Sequence, residues 1–184
     1  MDLTQLSWKK DIDNESSLPT INWEVLKETA IRLKQRLVEH DRDVSCQLSA
    51  EYNLGGVHVV RRLDFNDGTH WLARLRLHKE AHIGSCEGLE QEVFTTQVVR
   101  ERSMIPVPEV FGYDASWDNA VGVPFMLLEF IPADTAMDSF GGYEEHGGST
   151  PPQFKADYFN SLAKIQVRER RYVVELAYGR GRLI

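Results

Sequence analysis

The residues best suited to chemistry lie between Glu51 and Leu77, in EYNLGGVHVVRRLDFNDGTHWLARLRL. Gly55 and Gly56 lead into one apolar run, and Arg74 and Arg76 lie on the run that returns. A glycine pair before one strand, with a cation on its partner, is how a clamp for nucleotide phosphates would be built. Backbone N–H groups approach an anion most closely where no Cβ intervenes. Read alone, the pair is more simply a loop between two strands. His78, His82 and Cys86 follow, a trio that suggests zinc by residue type. No fourth ligand stands at a recognisable spacing, so a connector is the better reading. No catalytic residue and no metal ligand is assigned.

The element that must position these residues is a β-hairpin. Asn66-Asp67-Gly68-Thr69 marks its tip, because Asp-Gly supplies the positive φ that tight hairpin turns require. Val57, Val59, Leu63 and Phe65 share one parity, interrupted by Arg61, and Trp71, Ala73, Leu75 and Leu77 repeat it after the turn. Leu72, Arg74 and Arg76 then fall on the opposite face.

Around the hairpin the chain offers further elements. Residues 1–20 are polar and read as a flexible arm. A helix is predicted from Trp23 to about His40, with Asn22 as N-cap and Leu26, Ala30, Leu33 and Leu37 as its stripe. Asp43 to Tyr52 alternates as a half-buried strand, Val44, Cys46, Leu48, Ala50 and Tyr52 facing one way. After the 79–88 loop, a helix is predicted over Leu89–Arg102, ended by Ile105-Pro106-Val107-Pro108. Short strands are predicted at Glu109–Tyr113 and Val123–Ile131. Residues 133–153 read as a Gly/Ser/Thr/Pro linker, and Phe154–Gln166 as a last helix. From about Val167 the basic tail reads as unrelated sequence.

Bulk properties narrow the field. The net charge of -7 excludes a general nucleic-acid binder, which needs a basic footprint to displace counterions. No run is long and apolar enough to span a bilayer, and the first residues lack a secretory signal. Two cysteines, Cys46 and Cys86, suit a reducing compartment, and the expected location is cytoplasmic.

The order NLGGVH, FNDGTHWLARL, LEQEVFTTQVVRERSMIPVPEVFGY and GVPFMLLEFIPA resembles the aminoglycoside phosphotransferase family of fungal type, over roughly Leu48 to Gln166. The resemblance implies an α+β fold, a kinase-like small lobe. It would hold a five-stranded antiparallel sheet with an inserted helix over residues 21–132, the predicted N-terminal helix leading into it. A linker and one helix of an incomplete large lobe would follow. It implies ATP and magnesium as cofactors, with Gly55 and Gly56 covering the phosphates and Arg74 at the position usually held by a strand lysine. Arginine there keeps the charge but presents a planar fork, so the phosphate geometry differs. Glu92, with Glu90 as runner-up, would orient that cation. Leu128, Glu129, Phe130 and Ile131 resemble the hinge that meets the adenine edge, and Leu54, Val57 and Leu72 are candidate walls for the base.

Simpler readings stand beside these roles: Arg74 with Glu92 as a surface ion pair contributing about 0 to 1 kcal/mol, and Glu129 as a solvated strand end. The family's catalytic loop, His-x-Asp followed by Asn and a later magnesium-binding Asp, has no match after Ile131, where His146 is the sole histidine. The expected function is therefore a phosphotransferase-like domain without turnover. The alternative is a non-catalytic module that binds nucleotide, or a protein partner through its exposed cleft face. The acceptor substrate stays open.

Overall fold

The computed structural model describes residues 18–38, 43–77, 86–133, 139–141, 145 and 147–178, the last eleven and residues 86–87 by backbone alone. Most of the predicted arm, His78, His82 and His146 lie outside the described residues, as does the Cys86 side chain. The described residues fall into two compact units. The larger is drawn from residues 18–97 and Pro108–Ile131, the smaller from Val98–Val107 and residues 132–178.

The larger unit is built on a five-stranded antiparallel sheet. Its strands are β1 (Cys46–Leu54), β2 (His58–Phe65), β3 (His70–Arg76), β4 (Val110–Asp114) and β5 (Phe125–Glu129), in the spatial order β1-β2-β3-β5-β4. Helix α1 (Trp23–Leu37) precedes the sheet, and α2 (Cys86–Arg102) is inserted between β3 and β4. The expected α+β sheet with an inserted helix is present.

Alternation along the strands separates the two faces. Val59, Leu63, Phe65, Trp71, Ala73, Leu75, Phe125 and Leu127 form one core with Leu26 and Ala30 of α1. Leu89 and Val93 of α2 cover the other face, packing with Met126, Leu128, Ala115 and the half-buried Leu72. Thus α1 and α2 lie on opposite sides of the sheet.

The hairpin turn is as its sequence requires. Gly68 N–H donates to Phe65 O at 3.0 Å, Phe65 N–H to Thr69 O at 3.0 Å, and Gly68 takes φ 80°. Asn66 fastens the turn to the start of β1, donating from Nδ2 to Asp43 O at 2.6 Å and accepting from Ser45 N–H at 3.1 Å.

Other boundaries depart from expectation for local reasons. Helix α1 stops at Leu37 because Val38 turns to extended backbone, φ -94° and ψ 111°. In β1 the pairing jumps from Leu48↔Leu63 to Tyr52↔Arg61, so two extra residues bulge out. Ala50, expected inside, lies in that bulge and is exposed, while Arg61 Nε donates to Ser49 O at 2.6 Å. Val57, which shares the parity of the core residues of β2, is 42% exposed, and Phe94 on α2 is 61% exposed.

In the smaller unit, α3 (Pro152–Tyr178) extends well beyond the predicted Gln166, so its backbone continues through the start of the basic tail. Within the predicted linker, Phe140 stacks on Phe154, centroids 4.7 Å apart, and meets Tyr158 edge-on.

Candidate functional site

The antiparallel register of β2 and β3 sets His58 opposite Arg76 and Val60 opposite Arg74. Cross-strand partners point to the same face. All four therefore lie on the side of the sheet that α2 covers. From the first half of α2, Glu92 reaches down and its Oε1 accepts from Arg74 Nη1. Glu90, two residues earlier and so near the opposite side of the helix, is exposed. The Arg74 and Glu92 side chains keep 28% and 35% exposure, so the pair is open to a ligand.

His58 is part of this arrangement and was not singled out in the sequence. Arg74 Nη2 lies 3.4 Å from His58 Nδ1. A guanidinium has only donors, so Nδ1 must be the acceptor and the proton resides on Nε2. That Nε2 is buried and has no hydrogen-bond partner. Burial, with the charges of Arg74 and Arg76, pushes the imidazole down to about 4 against the opposing pull of Glu92. The ring is neutral, beside two arginines and one glutamate. The sequence signal for it was the parity His58, Val60, Arg62, which places His58 on the face of Arg74 once the register is known.

Gly55 and Gly56 form the exposed bend between β1 and β2, where Gly55 N–H donates to His58 O at 2.9 Å. Neither has positive φ. A Cβ on Gly56 would meet nothing within 4 Å, and one on Gly55 only His58 O at 3.6 Å. Among the described residues, no neighbour requires glycine at either position.

The expected hinge residues occupy the far end of β5. Leu128 is buried beneath α2 with Leu72 packed beside it. Glu129 N–H donates to Glu109 O at 2.8 Å, and the Glu129 carboxylate accepts from Glu109 N–H at 3.0 Å. Phe130 N–H points to His70 O at 3.4 Å. These two backbone donors are therefore engaged within the protein, leaving the Phe130 ring and the half-exposed Ile131 as the accessible part. Around that ring stand Arg62, 5.8 Å from its centroid, and His70, edge-on at 6.2 Å. Asp64 holds both in place, accepting from Arg62 Nε at 2.6 Å and meeting His70 Nδ1 at 2.6 Å.

Of the three expected walls, only Leu72 shares the Arg74 face. Leu54 pairs with Val59 and packs into the α1 core on the opposite side. Val57 lies outside both strands and is exposed. The structure thus gathers Arg74, Glu92, Leu72 and Leu128, adds His58, and separates Leu54 from them.

A cavity of about 320 Å³ lies elsewhere, between α1 and the β4 edge, lined by Val25, Thr29, Arg32, Leu33, Tyr113 and Phe125 among others. None of the expected site residues borders it. Among the described residues no group of three or more His, Cys, Asp or Glu side chains is placed to hold a metal. None of the described helices is long and apolar enough to cross a membrane.

No family model matches the chain, and no solved structure matches it significantly. Curated relatives do. The chain is 27% identical over 104 residues to the protein of Candida tropicalis named altered inheritance of mitochondria protein 9, mitochondrial. It is 26% identical over 104 residues to the protein of that name from Yarrowia lipolytica, and 28% identical over 120 residues to that of Komagataella phaffii. The matches cover 56%, 54% and 65% of this chain but only 17%, 18% and 19% of the relatives. These names overturn the assignment to the aminoglycoside phosphotransferase family, the phosphotransferase function drawn from it, and the transferase and ATP-binding descriptions that went with it. They also overturn the cytoplasmic location, since the relatives are named mitochondrial.

Proposed function

We propose that the larger unit is a non-catalytic lobe that binds a phosphate-bearing ligand at Arg74, and that it works in the mitochondrial setting named for its relatives. The observation that carries this reading is the Arg74–Glu92 pair beside His58 and Arg76. Glutamate holds one edge of the guanidinium and leaves the group partly exposed. Both arginine charges press the imidazole down, so the field at the ring favours an anion. A half-exposed ion pair contributes little to stability, which leaves orientation as its stronger purpose. The unhindered Gly55-Gly56 bend supports the same reading, because a ligand approaching the backbone supplies the need for glycine that the protein does not.

The sheet order, with α2 inserted after β3, further supports a small lobe of kinase-like topology. In that reading Phe130 and Ile131 offer an apolar surface for whatever the phosphates are attached to. Inorganic triphosphate is the first ligand to test, because it presents phosphate oxygens without a base. Calorimetric titration of the purified chain should show binding that Arg74→Met abolishes and Glu92→Gln weakens. Equal binding by wild type and Arg74→Met would overturn the proposal.

A second reading, contact with a protein partner, is favoured by the exposed apolar side chains Phe94, Val57 and Ile131. It predicts concentration-dependent association in sedimentation runs that Phe94→Lys reduces.

A further inference from the structure

We propose that His58 is the proton acceptor of this site: a phosphate-bearing ligand drawing Arg74 toward itself leaves an anion beside the imidazole, which takes up one proton from solvent. The inference rests on the phosphate-binding reading above and adds a chemical consequence to it.

Three observations meet at this residue. His58 Nδ1 faces Arg74 Nη2 at 3.4 Å, a long contact that an anion can outcompete. His58 Nε2 is buried without a partner, leaving a donor that the unliganded protein does not use. Among the described residues, the charged groups acting on the ring are Arg74 and Arg76 from β3 and Glu92 from α2, and the two cations oppose protonation. The imidazole is therefore neutral in the free protein.

A bound phosphate reverses that balance. When Arg74 Nη2 turns to the ligand oxygens, Nδ1 loses its donor and becomes free to bind a proton. The Glu92 charge, which already favours the imidazolium, and the ligand's oxygens both stabilise the new N–H. Nothing else is consumed or released: one proton moves from water to Nδ1, and the ligand's negative charge stabilises the imidazolium. A histidine displaced from its ordinary range by neighbouring charge is suited to report a change in that charge.

The test is calorimetric titration with inorganic triphosphate, repeated at pH 6.5 in buffers of different ionisation enthalpy. The wild type should take up close to one proton per ligand bound beyond the ligand's own protonation change. Affinity should rise as pH falls from 7.5 to 5.5. His58→Asn and His58→Gln should bind with that uptake abolished, and the imidazole carbon resonance of His58 should move to the protonated position on saturation. Binding without proton uptake, or uptake unchanged in both variants, overturns the role of His58 while leaving the phosphate site intact. Failure of the wild type to bind triphosphate at all overturns the phosphate reading and this inference with it.

Discussion

The Lys34 ammonium on α1 lies 2.9 Å from the Asp67 carboxylate at the tip of the β2–β3 hairpin, and it donates to Thr69 Oγ1 at 2.9 Å. Its charge also sits 5.5 Å from the Phe65 ring centroid and 6.0 Å from that of Trp71. A lysine that is 9% exposed thus joins the last turn of α1 to the turn that organises the sheet. Long cationic side chains do this by burying the stem and keeping the head paired.

This contact gives the first prediction. Burial works to raise the Asp67 carboxyl, but hydrogen bonds from Thr69 and Lys34, with the lysine's charge, overcome it and hold the group at about 2. A carboxyl depressed in the folded state stabilises it above the ordinary range near 4, and that contribution disappears as pH falls toward 2. Asp67 is 37% exposed, so the contribution is screened and amounts to about 1 kcal/mol or less. Denaturant titrations should show Asp67→Asn less stable than wild type at pH 7, with the difference gone near pH 2.

His58 gives a second pH window with a separate range. Its folded value of about 4 lies below the ordinary 6.5, so protonation favours the unfolded chain. The stabilisation is complete above about pH 6.5 and is lost as pH falls through 4. Unfolding free energy measured from pH 7.5 to 4 should decline in the wild type. The decline should be shallower in His58→Gln, whereas Asp67→Asn should retain it. An unchanged slope in His58→Gln would mean that folding does not lower the imidazole's affinity for a proton.

The Arg74–Glu92 pair should behave in the opposite way to a core contact. With 28% and 35% exposure, its removal should cost about 0 to 1 kcal/mol. Glu92→Gln should leave the thermal midpoint within a few degrees while reducing triphosphate affinity. A large fall in stability with unchanged affinity would mark the pair as structural.

These residues also show what the sequence could and could not reveal. The hairpin was legible because parity and Asp-Gly both act over a few residues. Asn22 was legible as a cap for the same reason: its side chain accepts from Val25 N–H at 3.2 Å. His58 was not, because its importance depends on the cross-strand register with β3. Leu54 was misplaced by the same lack. Beside a glycine it looked like a wall for a ligand, but its pairing with Val59 turns it to the α1 core. The β1 bulge escaped notice because two extra residues preserve parity, so Tyr52 still points inward. The continuation of α3 past Val167 was hidden by a charge run, although arginine, glutamate and leucine are good helix formers. The family resemblance placed Glu92 opposite Arg74, yet the curated relatives carry a mitochondrial-inheritance name.

Trp71 is predicted to be among the most costly side chains to truncate. It is 2% exposed, stacked on Phe111 at 4.1 Å between centroids, and edge-on to Phe65 at 4.8 Å. It links β3, β4 and the end of β2 on the α1 side of the sheet. Trp71→Ala should cost about 3–5 kcal/mol, and Trp71→Phe less, because an aromatic ring still fills part of the space. Chemical denaturation of both variants would order them. A loss under 1 kcal/mol for the alanine variant would contradict the packing described.

Gly122 carries the last prediction, and here backbone conformation and close approach act together. Its φ is 93°, a region side chains rarely adopt, and a Cβ built there would lie 2.9 Å from Thr20 O. The opposing atom is a backbone carbonyl, which cannot rotate away as a side-chain end can. The surrounding loop is also fixed: Asn119 Oδ1 accepts from Val121 and Gly122 N–H at 2.9 and 3.0 Å, and its Nδ2 donates to Ser116 O and Val123 O. Val121 O in turn accepts from Asn22 N–H at 2.9 Å, tying the loop to the start of α1. Gly122→Ala should therefore destabilise by about 1–3 kcal/mol. Gly56→Ala, which meets no atom and has no positive φ, should be near neutral or slightly stabilising, through its effect on the unfolded chain. Unfolding midpoints of the two variants, compared in one experiment, separate a glycine demanded by the fold from one the fold does not need.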